Sequence, residues 1–261
     1  MLVHSSLSSF GWVEGGAEAV IDALREAIGP DGTLVMSAIT ITAEFVAAHV
    51  RAAIRGEINR EYPIFDVEKT PTWAGRIAET FRNMPHVARS WHPSHSVTAL
   101  GPKAEELLAD HHVRPSCGQD SPYERITRLE EGRVLLLGVT HESSTTIHAF
   151  EELAGAEYVV HPQTCRIPFR TPEGERLATT TLHIYHIARE LGRLESRYID
   201  AGAETVTVIG RAPVRLCRAK PMREITLEAI RKSPYILLTP AGLKTWEKMK
   251  ASGEYLEPHG A

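Results

Sequence analysis

An α/β fold in a single domain, with a central mixed, mostly parallel sheet flanked by helices, is the class this sequence predicts, and three observations predict it. Within the first 40 residues the chain reads strand, Ser/Gly turn, amphipathic helix, strand, the order of a βαβ unit. The run Arg133-Val134-Leu135-Leu136-Leu137-Gly138-Val139 is apolar nearly throughout, as in a central strand buried on both faces. The 261 residues contain no internal repeat, low-complexity tract or long Pro/Gly/Ser linker, so residues 1–261 read as one domain.

The elements follow in order. Leu2-Val3-His4 opens as a strand, and a Ser/Gly-rich turn leads to a helix over Gly15 to Ile28, whose Val20, Ile21, Leu24 and Ile28 form one apolar stripe. Gly29-Pro30-Asp31-Gly32 stops it, and Thr33 to Met36 is a second strand. Residues 41–71 read as an irregular excursion over one face. A helix is expected from Thr72 to Arg82, a loop over Arg89 to Ser96 around Pro93, and a helix near Pro102 to Asp110. The central strand over Arg133 to Val139 gives way to the polar loop His141 to Thr146 and a short helix bearing His148 and Glu151. Beyond it are expected a strand-like stretch from Tyr158, a helix near Thr181 to Leu191, a strand over Thr205 to Ile209, and two terminal helices around Arg223 to Ile230 and Ala241 to Met249.

Composition removes several function classes. Lys and Arg number 29 against 33 Asp and Glu, a net charge of −4, with no basic run to neutralise a phosphate backbone, so nucleic acid is not an expected partner. No stretch approaches the ~20 apolar residues of a membrane span, and the start lacks a basic then apolar leader; a cytoplasmic location with no membrane partner is expected. Cys117, Cys165 and Cys217 are odd in number and far apart, which suits inert buried thiols rather than disulfides or a CxxC metal site.

Four constellations can carry chemistry. The turn His4-Ser5-Ser6-Leu7-Ser8-Ser9-Phe10-Gly11 offers hydroxyls and backbone N–H groups for a phosphate, or merely caps the helix after it. In Thr145-Thr146-Ile147-His148-Ala149-Phe150-Glu151, His148 and Glu151 share a helix face, so the carboxylate can orient an imidazole acting as general base; local packing is the bland alternative. His92 and His95 have H-x-x-H spacing, but Pro93 and Ser94 disfavour a rigid two-ligand helix, and no metal is expected. Asp66 can attract a cationic substrate from a loop, or cap its own turn.

Together these segments resemble the aminoglycoside 3-N-acetyltransferase family. The likeness rests on Val3 to Gly11, Gly32 to Met36, Phe65-Asp66 with Thr70-Pro71, Arg89 to Ser96, Leu135 to Val139 and Thr145 to Glu151, concordant in order and spacing to about residue 165. It implies an antibiotic-resistance type of acyltransferase moving an acetyl or other short acyl group from acyl-CoA to a small-molecule amine by direct attack. It further implies that His4, Ser5, Ser6, Leu7, Ser8, Ser9, Phe10 and Gly11 lie along the pyrophosphate and pantetheine, that His95 and Ser96 line the cofactor channel, and that His148 is the base. The sequence leaves the oligomeric state open, a homodimer among the options.

Two departures from the family stand out. Members carry a short segment before the V-H-S-S motif, whereas Met1 stands almost on it, so the expectation is an internal or truncated start. Members that modify aminoglycosides also carry an acidic residue about 35 positions beyond the base histidine; the matching stretch, Leu182-His183-Ile184-Tyr185-His186, has none before Glu190. Glu151 or Glu190 supplies the charge, His183 or His186 takes the role, or the acceptor is not an aminoglycoside. The rivals are a metal-dependent hydrolase using His92, His95, His141 and His148, and a catalytically degenerate CoA-binding protein. Most of the 13 histidines read as scattered loop or surface residues.

Overall fold

In the computed structural model, which describes residues 1–256, two sheets form on one chain. Strands β1 (Leu2–Ser5), β2 (Leu34–Ser37), β4 (Ala88–Arg89), β5 (Val97–Leu100), β6 (Arg133–Leu137), β9 (Glu204–Ile209) and β10 (Ala212–Arg218) build the main sheet in the order β4-β5-β2-β1-β6-β10-β9; β3 (Phe65–Asp66), β7 (Val160–Thr171) and β8 (Gly174–His183) form a three-stranded sheet. β1 runs parallel to both β2 and β6, and the outer pairings are antiparallel, so the sheet is mixed, as expected.

Alternation in the central strands explains the layers. Val3, Leu135 and Leu137 face α1 (Gly16–Ile28) and α3 (Arg76–Arg82), where Ile21, Leu24, Ile77 and Phe81 close one core. Leu2, Val134 and Leu136 point the other way, toward residues of α5 (Pro122–Arg128), α6 (Thr145–Leu153) and α8 (Ala219–Lys232). Both faces of β6 are thus covered, which is why its sequence is apolar without alternation.

Several elements differ from the sequence reading. The expected excursion over 41–71 contains α2 (Ala43–Ile54), capped by Thr42 Oγ1 accepting from Phe45 N at 3.1 Å, with Phe45, Val46 and Val50 packed on Ile167 and Phe169 of β7. A stripe recurring at helical spacing was present, and Ala-rich composition favours helix there. The helix expected from Thr72 starts only at Arg76, leaving Trp73 outside it. The helix expected near 181–191 does not form: its first residues end β8, where Thr179, Thr180 and Thr181 suit a strand. Strands β5 and β10 have no counterpart in the sequence expectations; Cys217 lies in β10, two residues before α8 begins. The Ser-rich turn does not cap α1, whose N-cap is Gly15; it forms its own 3-10 turn over Leu7–Phe10.

Arg89 ties the small sheet to the large one. Its guanidinium donates to the carbonyls of Val67, Thr70 and Ala38 and to Ser96 Oγ, and lies over the Phe65 ring. Gly138, just past β6, ties down the Ser-rich turn: its carbonyl accepts from Ser9 Oγ at 2.7 Å, its φ is +75°, and an added Cβ would stand 2.9 Å from Ser9 Cβ and 3.0 Å from the Ser6 carbonyl. Gly138→Ala is therefore expected to destabilise the protein by about 1–3 kcal/mol, read as a lower urea midpoint; an unchanged midpoint would show that the turn moves away freely.

Candidate active site

Because β1, β2 and β6 are parallel, their carboxyl ends lie together, and a cavity of ≈ 470 Å³ opens there, the usual ligand position in an open α/β sheet. His4 and Ser5 end β1, Ser37 ends β2, and residues after β6 supply Val139 and Glu142 to Thr145. Trp73 to Gly75 close one side and His183 to Tyr185 another. Trp73 Nε1 and Tyr185 Oη both donate to the Ile41 carbonyl, at 2.9 and 3.1 Å, which pins two exposed aromatics at the rim.

One turn into α6, His148 reaches this cavity with a quarter of its side chain exposed. Its Nδ1 lies 2.6 Å from Glu151 Oε2, the i,i+3 contact that helical geometry provides. Glu151 is fully buried, and Arg189 Nε donates to its other oxygen at 3.3 Å. Burial opposes the Glu151 charge, but Arg189 and His148 outweigh it and hold the carboxyl down at about 2. Arg189 is itself held by the carbonyls of Tyr158, Ile184 and Ile187. An ionised Glu151 makes His148 Nδ1 the donor and leaves Nε2 as the basic nitrogen.

A second carboxylate–imidazole pair stands beside the first. His183 Nε2 is 2.6 Å from Glu152 Oε1, and its ring centroid is 5.4 Å from that of His148. Burial pushes Glu152 up to about 7 and pushes His183 well down, so this pair resists carrying two separated charges. The histidines are not scattered: His148, His183, His95, His92 and His111 form a continuous string of ring contacts through the interior. Burial lowers His95, His92 and His111 as it does His183, so these four buried imidazoles are neutral near pH 7. Burial, helped by His148 and His141, brings His4 down to about 4.

Of the residues singled out in the sequence, His4, Ser5, His95 and His148 line the cavity, and Glu151 stands behind His148. Ser6, Leu7, Ser8, Ser9, Phe10 and Gly11 lie outside its lining; Ser8 is exposed, and Ser9 is committed to Gly138. Ser96 is buried and bonded to Ala38 and Arg89. Asp66 Oδ1 accepts from the backbone of Glu68 and Lys69, which is the turn-capping alternative. Glu190 pairs with Arg193; His186 Nε2 approaches Met249 Sδ.

The hydrolase set does not assemble. His92 Nδ1 accepts from the backbone of Ser94 and His95, and His141 faces Glu204 at 2.9 Å. Arg189, Glu152, Ser37 and the rim aromatics were not identified from sequence. Only the register of β8 against the sheet brings Tyr185 and Arg189 to this cavity, and no local pattern announces that.

The chain and its fold are similar to known proteins. The model of the family described as aminoglycoside 3-N-acetyltransferase matches residues 2–231. Aminoglycoside N(3)-acetyltransferase IV from Salmonella sp is 31% identical over 242 residues, 92% of this chain and 84% of that protein. A mutant of aminoglycoside acetyltransferase AAC(3)-IVa, solved in complex with a gentamicin, superposes with a TM-score of 0.75 at 28% identity, covering 98% of this chain and 87% of the other. AAC-IIIb, solved as a binary complex with CoASH, gives 0.74 at 26% identity, covering 92% and 91%. With a family match over nearly its whole length and a shared α/β architecture, the chain belongs to the aminoglycoside 3-N-acetyltransferase family and is an acetyltransferase-type enzyme.

Proposed function

We propose that this enzyme transfers an acetyl group from acetyl-CoA to the 3-amino group of an aminoglycoside, with His148 as general base. The observation that carries the reading is the His148 Nδ1–Glu151 Oε2 contact of 2.6 Å at the wall of the cavity, backed by Arg189. His148 Nε2 takes the proton that the acceptor amine loses as its nitrogen bonds to the thioester carbonyl carbon, Glu151 compensates the imidazolium charge, and as the C–S bond breaks CoA leaves as its thiol, taking the proton back from His148. Acetyl-CoA supplies the activated acyl carbon as a thioester.

The residues present suit such ligands. His4 Nε2 and Ser144 Oγ are buried polar atoms without a protein partner, on residues lining the cavity, and buried polar groups call for partners. At the N-terminus of α6, Ser144 and Thr145 also line it. The first N–H groups of a helix have no acceptor within it, so they suit the developing oxyanion. The Ser6 to Gly11 turn lies outside the lining and is left to contact extended portions of a ligand larger than the cavity, whereas Ser96 is fully buried and bonded to Ala38 and Arg89, and Asp66 caps its own turn.

Glu142 provides a carboxylate for a cationic acceptor. It is exposed, lines the cavity, and accepts from Gly192 N at 3.1 Å. Glu142→Gln is expected to raise KM for an aminoglycoside about fivefold, equivalent to about 1 kcal/mol, at unchanged kcat. An equal rise with an uncharged acceptor would show that Glu142 acts on the loop instead of on charge. The direct test of the whole reading is acetylated product, detected by mass, across a panel of aminoglycosides and simple amines; CoA binding without product from any amine would leave a binding protein.

A further inference from the structure

The string of histidines passes a thiol at its middle, where His183 meets His95. One ligand atom from each of His95, Cys117 and His183 lies within 4.8 Å of the others, and all three residues are buried. His95 Nδ1 is engaged by Ser94 Oγ at 3.0 Å and His183 Nε2 by Glu152 Oε1 at 2.6 Å, so each imidazole keeps its second nitrogen for another ligand. Glu152 is seated for this purpose: it also accepts from Cys117 N at 3.1 Å, and a Cβ at residue 118 would stand 2.6 Å from its Oε2, which the glycine there avoids. A carboxylate bonded to the far nitrogen of a histidine is the outer shell that metal-binding imidazoles use.

We propose that His95, Cys117 and His183 form a binding site for Zn2+, with Glu152 orienting His183, entered from the cavity that His95 and His183 line. One sulfur and two imidazole nitrogens are the donor set of a borderline-soft divalent cation. Zinc bonds of about 2.0–2.3 Å need donors roughly 3.5 Å apart, within reach of modest side-chain rotation from the distances present. Binding forms the metal–Sγ bond, and the Cys117 thiol proton leaves to buffer.

The other buried trio, His141, Glu204 and Cys217, is occupied differently. Arg215 Nε stands 3.5 Å from Glu204, and none of the trio lines the cavity, so a cation has neither a free charge nor a way in. Zn2+ at the first trio sits beside His148 and blocks the acceptor. Inhibition rests on the acetyl-transfer reading, whereas binding does not.

The test uses Co2+ as a spectroscopic stand-in on the reduced full chain. One equivalent is expected to give a thiolate-to-cobalt charge-transfer band that Zn2+ displaces, with one proton released per cation. Cys117→Ser should abolish the band, Cys165→Ser and Cys217→Ser should retain it, and Glu152→Gln should weaken affinity about 10- to 100-fold. In activity, followed as product mass, Zn2+ inhibition should be relieved in Cys117→Ser. A missing band in the wild type, a band that survives in folded Cys117→Ser, or inhibition identical in that variant would overturn the site. A band in a protein that acetylates no amine would support the site and count against the proposed function alone.

Discussion

Replacing His148 by alanine is expected to lower kcat for acetyl transfer about a thousandfold, the middle of the range for loss of a positioned base, while affinity for acetyl-CoA stays within about twofold. The reason is local. His148 is the cavity residue whose Nδ1 is held by a buried, ionised carboxylate, and its Nε2 remains to accept a proton. His183, although only 5.4 Å away between ring centres, is bonded to Glu152 and kept neutral by burial, and does not replace it. Product formation by mass and CoA binding by calorimetry separate the two effects. Turnover at the wild-type rate in His148→Ala would remove this histidine from the mechanism.

Glu151→Gln carries the second large effect, on rate and on stability together. The amide keeps the shape and one hydrogen bond but cannot compensate an imidazolium, so kcat is expected to fall on the order of a hundredfold, while Glu151→Asp recovers part of it. The variant also leaves Arg189 buried beside an uncharged group, and loss of one partner of a buried pair costs several kcal/mol. Folding lowers the Glu151 pKa from 4.5 to about 2, so the unfolded chain holds the proton more tightly. The carboxylate's stabilisation, on the order of 3 kcal/mol, is therefore complete above pH ~4.5 and is lost as pH falls toward 2. Urea midpoints of wild type and Glu151→Gln should differ at pH 7, and the gap should narrow as pH falls below ~4.5 and close toward pH 2. A gap that is undiminished at the lowest pH where both proteins fold would mean the two side chains differ by packing rather than by charge.

Elements whose residues make local sense were legible. The βαβ opening, the apolar β6 strand, the α6 helix with His148 and Glu151 three residues apart, and both terminal helices need only periodicity and strand-type composition. The misreadings have physical causes. Residues 41–71 lie between strands of different sheets, so α2 went unseen although Phe45, Val46, His49 and Val50 repeat at helical spacing. The stretch after Thr181 looked helical because its apolar residues also suit that period, and only pairing with β7 makes Gly174–His183 a strand. The acidic partner of His148 was left open among residues up to 42 positions away; three-dimensional distances choose Glu151, since Glu190 turns to Arg193.

The cavity depends on still longer connections. Tyr185 lies 144 residues from the Ile41 carbonyl that holds it, and Arg189 lies 38 residues from Glu151. Such contacts carry no signature in a single sequence because either residue alone suits many environments. By itself the sequence determined the α/β class and the family likeness and placed His148 and Glu151 on one helix face, for each rests on neighbours along the chain whose spacing sets their geometry; the choice of Glu151 over Glu190 came from the fold. Tertiary structure alone decided that five histidines line up inside the protein, that Glu152 and Cys117 meet them, and that Arg189 keeps Glu151 charged. Burial and distance across the sheet set those protonation states, and neither is a property of residue order.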